Sequence, residues 1–243
     1  DGILNDIQGR HVRREHVLKA IADAKSGVVE EGSVGAGTGS TCMGWKGGIG
    51  TSSRVLPPKR GVYTVGVLVQ TNFGGVLTVN GAPVGRELGR YSNSADFPYE
   101  IPEVRDPDGS VMVIVATDAP LDQRQLERLA KRAGLGLART GFCSSNGSGD
   151  FFIAFSTAWR ILHDSPPTLT TEVVSNDAMS PLFLAVVEAT EEAVINSMLK
   201  ATTVVGRDSV TVDAIDTDQL LQAMIKYNAL NWNQTLPPWG GGM

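Results

Sequence analysis

Asp106-Pro107-Asp108-Gly109-Ser110-Val111-Met112-Val113-Ile114-Val115-Ala116 sets a polar turn directly against an unbroken apolar run. Pro and Gly around two aspartates are turn chemistry. The run from Val111 to Ala116 has no alternation, which reads as a strand buried on both faces. Ser110 stands at the mouth of that strand, with a glycine carbonyl immediately before its hydroxyl.

Two readings of this junction follow from residue types. One is a turn that leads into a strand. In the other, the Ser110 hydroxyl attacks the unhindered Gly109 carbonyl, and an N-to-O acyl shift followed by ester hydrolysis leaves Ser110 as a new N-terminus. An α-amine has an unperturbed pKa of about 8, so it can act near neutral pH as general base for its own hydroxyl. One residue then supplies nucleophile and base, and no histidine is needed.

Upstream of the junction, residues 81–109 are polar, Pro-rich and aperiodic, the best place for an exposed loop or a chain break. Before them, Val62 to Thr71 reads as a strand and Val76 to Val79 as a second, the pair forming a hairpin or a strand with a bulge. Residues 32–50 are interrupted throughout by glycine, which predicts tight turns and close backbone approach and no regular element. The first helix is expected from about Arg10 to Lys25, with Val12, Leu18, Ile21 and Ala22 near one face.

Downstream, Pro120 and Asp122 open a helix to about Ala133, with Leu126, Leu129 and Ala130 on its apolar side. Phe151 to Phe155 reads as a short strand. Ser180-Pro181 gives an N-cap followed by Pro, opening a helix to about Ala201. A last helix is expected near Asp218 to Tyr227, and the Pro/Gly tail from Pro237 to Gly242 as disordered or interface-bound. Helices and strands interleave at irregular spacing, which predicts a layered α/β or α+β domain over a strict βαβ series.

The chain of 243 residues carries a net charge of -5 and a pI near 5.2, which gives no electrostatic case for nucleic acid or an anionic membrane. No apolar run reaches the length of a membrane span. The chain opens on Asp1, so the compartment is not legible from its first residues; the cytoplasm is favoured over the periplasm. Cys42 and Cys143 form no C-x-x-C pair; one bridge between them is an open reading, and two buried free thiols is the favoured one. His11, His16 and His163 lack metal-ligand spacing, so neither a metal nor a cofactor is expected.

Gly35-Ala36-Gly37-Thr38-Gly39 resembles a phosphate-binding turn, but no amphipathic helix opens after it. Lys46 is not followed by the Ser or Thr that a Walker motif requires.

Glu31-Gly32-Ser33-Val34-Gly35-Ala36-Gly37-Thr38-Gly39 and Gly44-Trp45-Lys46-Gly47-Gly48-Ile49-Gly50-Thr51-Ser52-Ser53-Arg54 together resemble the L-aminopeptidase/D-esterase-amidase (DmpA-like) family, which includes the β-peptidyl aminopeptidases. The likeness continues through Gln70-Thr71-Asn72-Phe73-Gly74, Asp108-Gly109-Ser110, Val113 to Leu121, and Ser144-Ser145-Asn146-Gly147-Ser148-Gly149-Asp150. It covers nearly the whole chain.

The resemblance implies a layered sandwich of helices over two packed β-sheets, shared with the ornithine acetyltransferases. It implies one catalytic domain, cleaved into 1–109 and 110–243, and an oligomer of the cleaved heterodimer. The substrates implied are short peptides, amides and esters. Ser110 would be the nucleophile and Asn72 the oxyanion-stabilising asparagine. Ser148 and Asp150 would contact the nucleophile and its amine. From residue types alone, Asn72, Ser148 and Asp150 read as turn and cap residues.

Two departures go with the resemblance. The family has further sequence, including a site-lining aromatic, ahead of the position that matches Asp1, and some relatives carry Glu where this chain has Asp150. Two other readings stand beside the hydrolase. An acyltransferase of the ornithine acetyltransferase type would use threonine where this chain has Ser110. A non-catalytic module would hold a ligand in its glycine-rich loop.

Overall fold

Residues 3–90 and 109–230 are described in a computed structural model. The elements in chain order are α1 (Arg14–Ala22), β1 (Thr41–Cys42), β2 (Trp45–Lys46), β3 (Ile49–Val55), β4 (Thr64–Asn72), α2 (Val84–Glu87), β5 (Ser110–Thr117), α3 (Gln123–Arg139), β6 (Gly149–Ser156), α4 (Ser180–Leu199), β7 (Val204–Val205), β8 (Thr211–Val212) and α5 (Thr217–Lys226). Four strands form the main sheet in the order β3-β4-β5-β6, and β1-β2 and β7-β8 are two-residue antiparallel pairs. The mixed α/β architecture that the irregular interleaving predicts is present, with helices layered on a sheet.

β3, β4 and β5 run antiparallel, while β6 returns parallel to β5 after the α3 crossover. That single crossover carries the chain from the C-terminal end of β5 back to its N-terminal end. The beginning of β6 therefore lies beside the beginning of β5.

One face of the sheet is the core. Val65, Val67 and Val69 of β4 and Val111, Val113 and Val115 of β5 are buried there with Leu129, Ala133 and Leu137 of α3 and Leu182, Val186 and Ala189 of α4. On the other face Met112, Ile114 and Ala116 are only half-buried, and Phe151, Ile153 and Phe155 of β6 are exposed. The expectation of a strand buried on both faces is thus corrected: β5 is fully buried on one side only.

α3 starts where Asp122 predicts, because its carboxylate accepts from Gln125 N at 2.7 Å while Gln125 Oε1 accepts from Asp122 N at 3.0 Å. It runs past the expected end at Ala133 to Arg139. Gly136 does not stop it, because α4 packs there so closely that a Cβ would meet Val187 O at 2.5 Å. α4 begins at Ser180 with Pro181 in its first turn, but the Ser180 side chain makes no cap. α5 is capped by Asp216, which accepts from Asp218 N and Gln219 N.

The remaining differences lie on the N-terminal side. α1 is shorter than expected and exposed along its whole length, so its apolar stripe has no core to face among the described residues. The segment rich in glycine does hold regular structure: β1, β2 and the first two residues of β3 lie in it. Its glycines work through close approach, as expected. A Cβ at Gly50 would land on the Ala193 carbonyl of α4, and one at Gly48 on the Gly32 carbonyl.

Val76 to Val79 forms no hairpin with β4. Val76 N and Thr78 N donate instead to Gly141 O and Thr140 O at the end of α3. The rest of the expected loop, 91–108, and the tail from Pro237 lie outside the described residues. No helix among the described residues is long and apolar enough to cross a membrane.

Candidate active site

The register of the sheet brings together three stretches far apart in the chain. Asn72, the last residue of β4, stands directly opposite Ser110, the first of β5, and Ser110 is in turn paired with Gly149, the first of β6. Residues in one such row share a face of the sheet. Asn72 and Ser110 lie on the half-buried face, away from the helices.

Asn72 is held by its acceptor end: Asn72 Oδ1 accepts from Thr41 N at 3.1 Å. That bond orients the amide, so the Nδ2 donor is the arm turned away from β1. Ser110 and Asn72 line a cavity of about 250 Å³ together with Ala36, Ser40, Gln70 and Met112. Ala36 belongs to the turn Gly35–Gly37, which the sequence tempts one to read as a phosphate loop. In the structure that turn is a wall of the cavity, tied to β4 by Gln70 Nε2 donating to Ala36 O at 3.3 Å.

Gly109 sits tight against the end of β4, where a Cβ would stand 2.9 Å from Phe73 Cα. Its carbonyl is engaged twice. Ser110 Oγ donates to Gly109 O at 2.6 Å, and Gly149 N donates to the same oxygen at 3.1 Å.

Asp150 and Ser148 stand one strand over. Ser148 Oγ donates to Asp150 Oδ1 and Ser144 Oγ to Asp150 Oδ2, both at 2.6 Å. Asp150 pairs with Val111, the next row, and no hydrogen bond joins Ser148 or Asp150 to Ser110 among the described residues. Ser144 was not singled out by sequence reasoning. Its left-handed backbone (φ 51°), unusual for a non-glycine residue, is a property that no residue pattern exposes.

Behind the wall lies a charge that the sequence does not advertise. Lys46 is buried, and its ammonium donates to Gly37 O and Gly47 O, each at 2.7 Å. No ion pair reaches it among the described residues, and burial pulls its pKa down to about 8. Beside it, burial pushes the Cys42 thiol up to about 12, against weaker opposing pulls from Thr71 and the Lys46 charge. Cys143 is exposed, which corrects the expectation of two buried thiols: it follows Phe142 into the loop before β6. His11, His16 and His163 are exposed, and no cluster of His, Cys, Asp or Glu able to hold a metal occurs among the described residues.

The family model of peptidase family S58 matches residues 1–212. The chain belongs to that family. Among curated proteins, it is 44% identical over 247 residues to the β-peptidyl aminopeptidase BapA of Sphingosinicella microcystinivorans, covering 95% of this chain and 60% of that protein. Among solved structures, it resembles a β-aminopeptidase of Burkholderia sp. (42% identity, TM-score 0.80, covering 93% of this chain and 62% of that one). It also resembles the L-aminopeptidase D-Ala-esterase/amidase of Ochrobactrum anthropi (39% identity, TM-score 0.82, covering 94% and 61%). That structure is described as a prototype for the serine aminopeptidases and a variant of the Ntn hydrolase fold. The S58 chain in hand thus spans about three-fifths of the length of the relatives it matches.

Proposed function

We propose that this S58 chain is a self-processing aminopeptidase and amidase-esterase whose nucleophile is Ser110, freed when the Gly109–Ser110 bond breaks. The observation that carries the proposal is the contact of Ser110 Oγ with the carbonyl oxygen of its own preceding peptide, at 2.6 Å. In that pose the hydroxyl lies beside the bond it would cleave. The products would be 1–109 and 110–243, held together as one catalytic domain and assembling further into an oligomer of heterodimers.

Once free, the Ser110 amine takes the hydroxyl proton as Oγ attacks the acyl carbon of a short peptide, amide or ester. Asn72 Nδ2 donates to the oxyanion that forms. A preorganised neutral donor of this kind is worth ~3 kcal/mol. Ser148 and Asp150 hold the amine in place, with Ser144 fixing the second oxygen of the carboxylate. The acyltransferase alternative is not favoured, because the relatives are named as peptidases and the nucleophile is serine.

The test is a panel of L-, D- and β-aminoacyl p-nitroanilides. The wild-type protein should release p-nitroaniline from at least one class. Ser110→Ala should stay whole and inert, because it has no hydroxyl for either reaction. Turnover by a Ser110→Ala protein would refute the proposal.

A further inference from the structure

We propose that the backbone N–H of Gly149 is an oxyanion donor, first to the Gly109 carbonyl in self-cleavage and then to the acyl oxygen of the substrate. This rests on Ser110 being the nucleophile and assigns the group that completes its site.

The bond from Gly149 N to Gly109 O, 3.1 Å long, is the first rung of the parallel β5-β6 ladder. It differs from the other rungs in one respect: its acceptor belongs to the peptide bond that breaks. A rung held by two strands is already aimed, so it needs no reorganisation as charge develops.

In the acyl shift, a bond forms between Ser110 Oγ and the Gly109 carbonyl carbon, and the bond from that carbon to the Ser110 nitrogen breaks. The hydroxyl proton ends on the departing nitrogen. Water then hydrolyses the ester, returning the Ser110 hydroxyl and leaving a carboxylate on Gly109. In the tetrahedral intermediate of each step the Gly109 oxygen carries a negative charge. A neutral hydrogen bond to it becomes charge-assisted, roughly twice as strong. Because the gain arises only in the tetrahedral state, it lowers the barrier without tightening the ground state.

The position of Gly149 suits both reactions. A Cβ there would stand 3.3 Å from Ser110 Oγ, so the glycine is packed against the nucleophile and its N–H opens onto the same space. After cleavage, Gly109 is no longer tethered to Ser110, while β6 still holds the Gly149 N–H beside Oγ. A substrate carbonyl attacked by that oxygen has two donors at hand. Asn72 offers its amide from β4 and Gly149 its N–H from β6, one on each side of Ser110.

The direct experiment replaces Gly149 by glycolic acid, which turns the amide into an ester and deletes the N–H alone. Self-cleavage of the purified protein, followed by intact mass, should slow about 10²- to 10³-fold, the usual loss for one oxyanion donor. On material that has finished cleaving, kcat should fall by a similar factor with KM little changed.

Should the ester chain fail to fold by circular dichroism, Gly149→Pro removes the same donor and carries the same expectation. Native-rate cleavage by either folded variant would overturn the assignment while leaving Ser110 in place. A wild-type chain that stays whole would instead remove the Ser110 reading, and this one with it.

Discussion

At Ser110 the sheet decides what the side chain meets. It is flanked by Asn72 on one strand and Gly149 on the other, and it touches the carbonyl of Gly109. Asn72 owes its orientation to a single bond from Thr41 N, which occupies the carbonyl arm of the amide. If Asn72 Nδ2 serves the oxyanion, Asn72→Ala should lower kcat about 10²- to 10³-fold with little change in KM. A turn residue would behave otherwise, lowering the melting temperature and leaving the kcat of the folded enzyme intact. The proposed self-cleavage would pass through an oxyanion of its own, so the comparison requires material shown by mass to be cleaved. The Gly109-Ser110 junction stands out by residue type and Asn72 only through the family resemblance, whereas Ser144 meets Asp150 through a backbone conformation that only the fold reveals.

The β1-β2 hairpin shows how an element can be invisible in sequence and still shape the site. Glycine density argued against regular structure there, yet Lys46 pins the Gly37 and Gly47 carbonyls and so holds the cavity wall in place. The sequence presents that lysine only as a failed phosphate-loop residue, because burial without a counter-charge has no signature in residue order. The hairpin should leave its mark on stability as pH changes. Lys46 titrates at about 8 when folded against 10.5 when free, so between those values the unfolded chain holds a proton that the native one lacks. Stability therefore rises with pH across that window. Cys42 acts in the opposite sense: its thiol is ionised above 9.0 when free but stays protonated to about 12 when folded, so it lowers stability as pH rises. Urea unfolding should show a rise from pH 8 to 9, a plateau to about 10.5 and a fall beyond it. In Cys42→Ala the rise should continue through the plateau. A wild-type profile that is flat from pH 8 to 9, or one that Cys42→Ala leaves unchanged, would contradict the buried pair. Other elements were read with mixed success for physical reasons. α3 was legible at its cap and not at its end, because close packing against α4 tolerates Gly136 inside the helix. β5 was placed correctly but assigned two buried faces, because Met112 and Ile114 are apolar on a side that no described helix covers.

For the whole molecule, the decisive feature is that one crossover, β5-α3-β6, returns the chain to the end of the sheet at which β5 began. Ser110, Gly149 and Asp150 are thereby gathered at one end of the strands, beside the end of antiparallel β4 and Asn72. The layered α/β class was legible from interleaved elements, but the strand order was not, because register depends on pairing that no local pattern encodes. What the account asks of the molecule is a single event at that end. N-terminal sequencing and intact mass of freshly purified protein test it most directly. The account predicts two fragments, one of which begins Ser110-Val111-Met112-Val113. A single chain, or a fragment starting at any other residue, would contradict it.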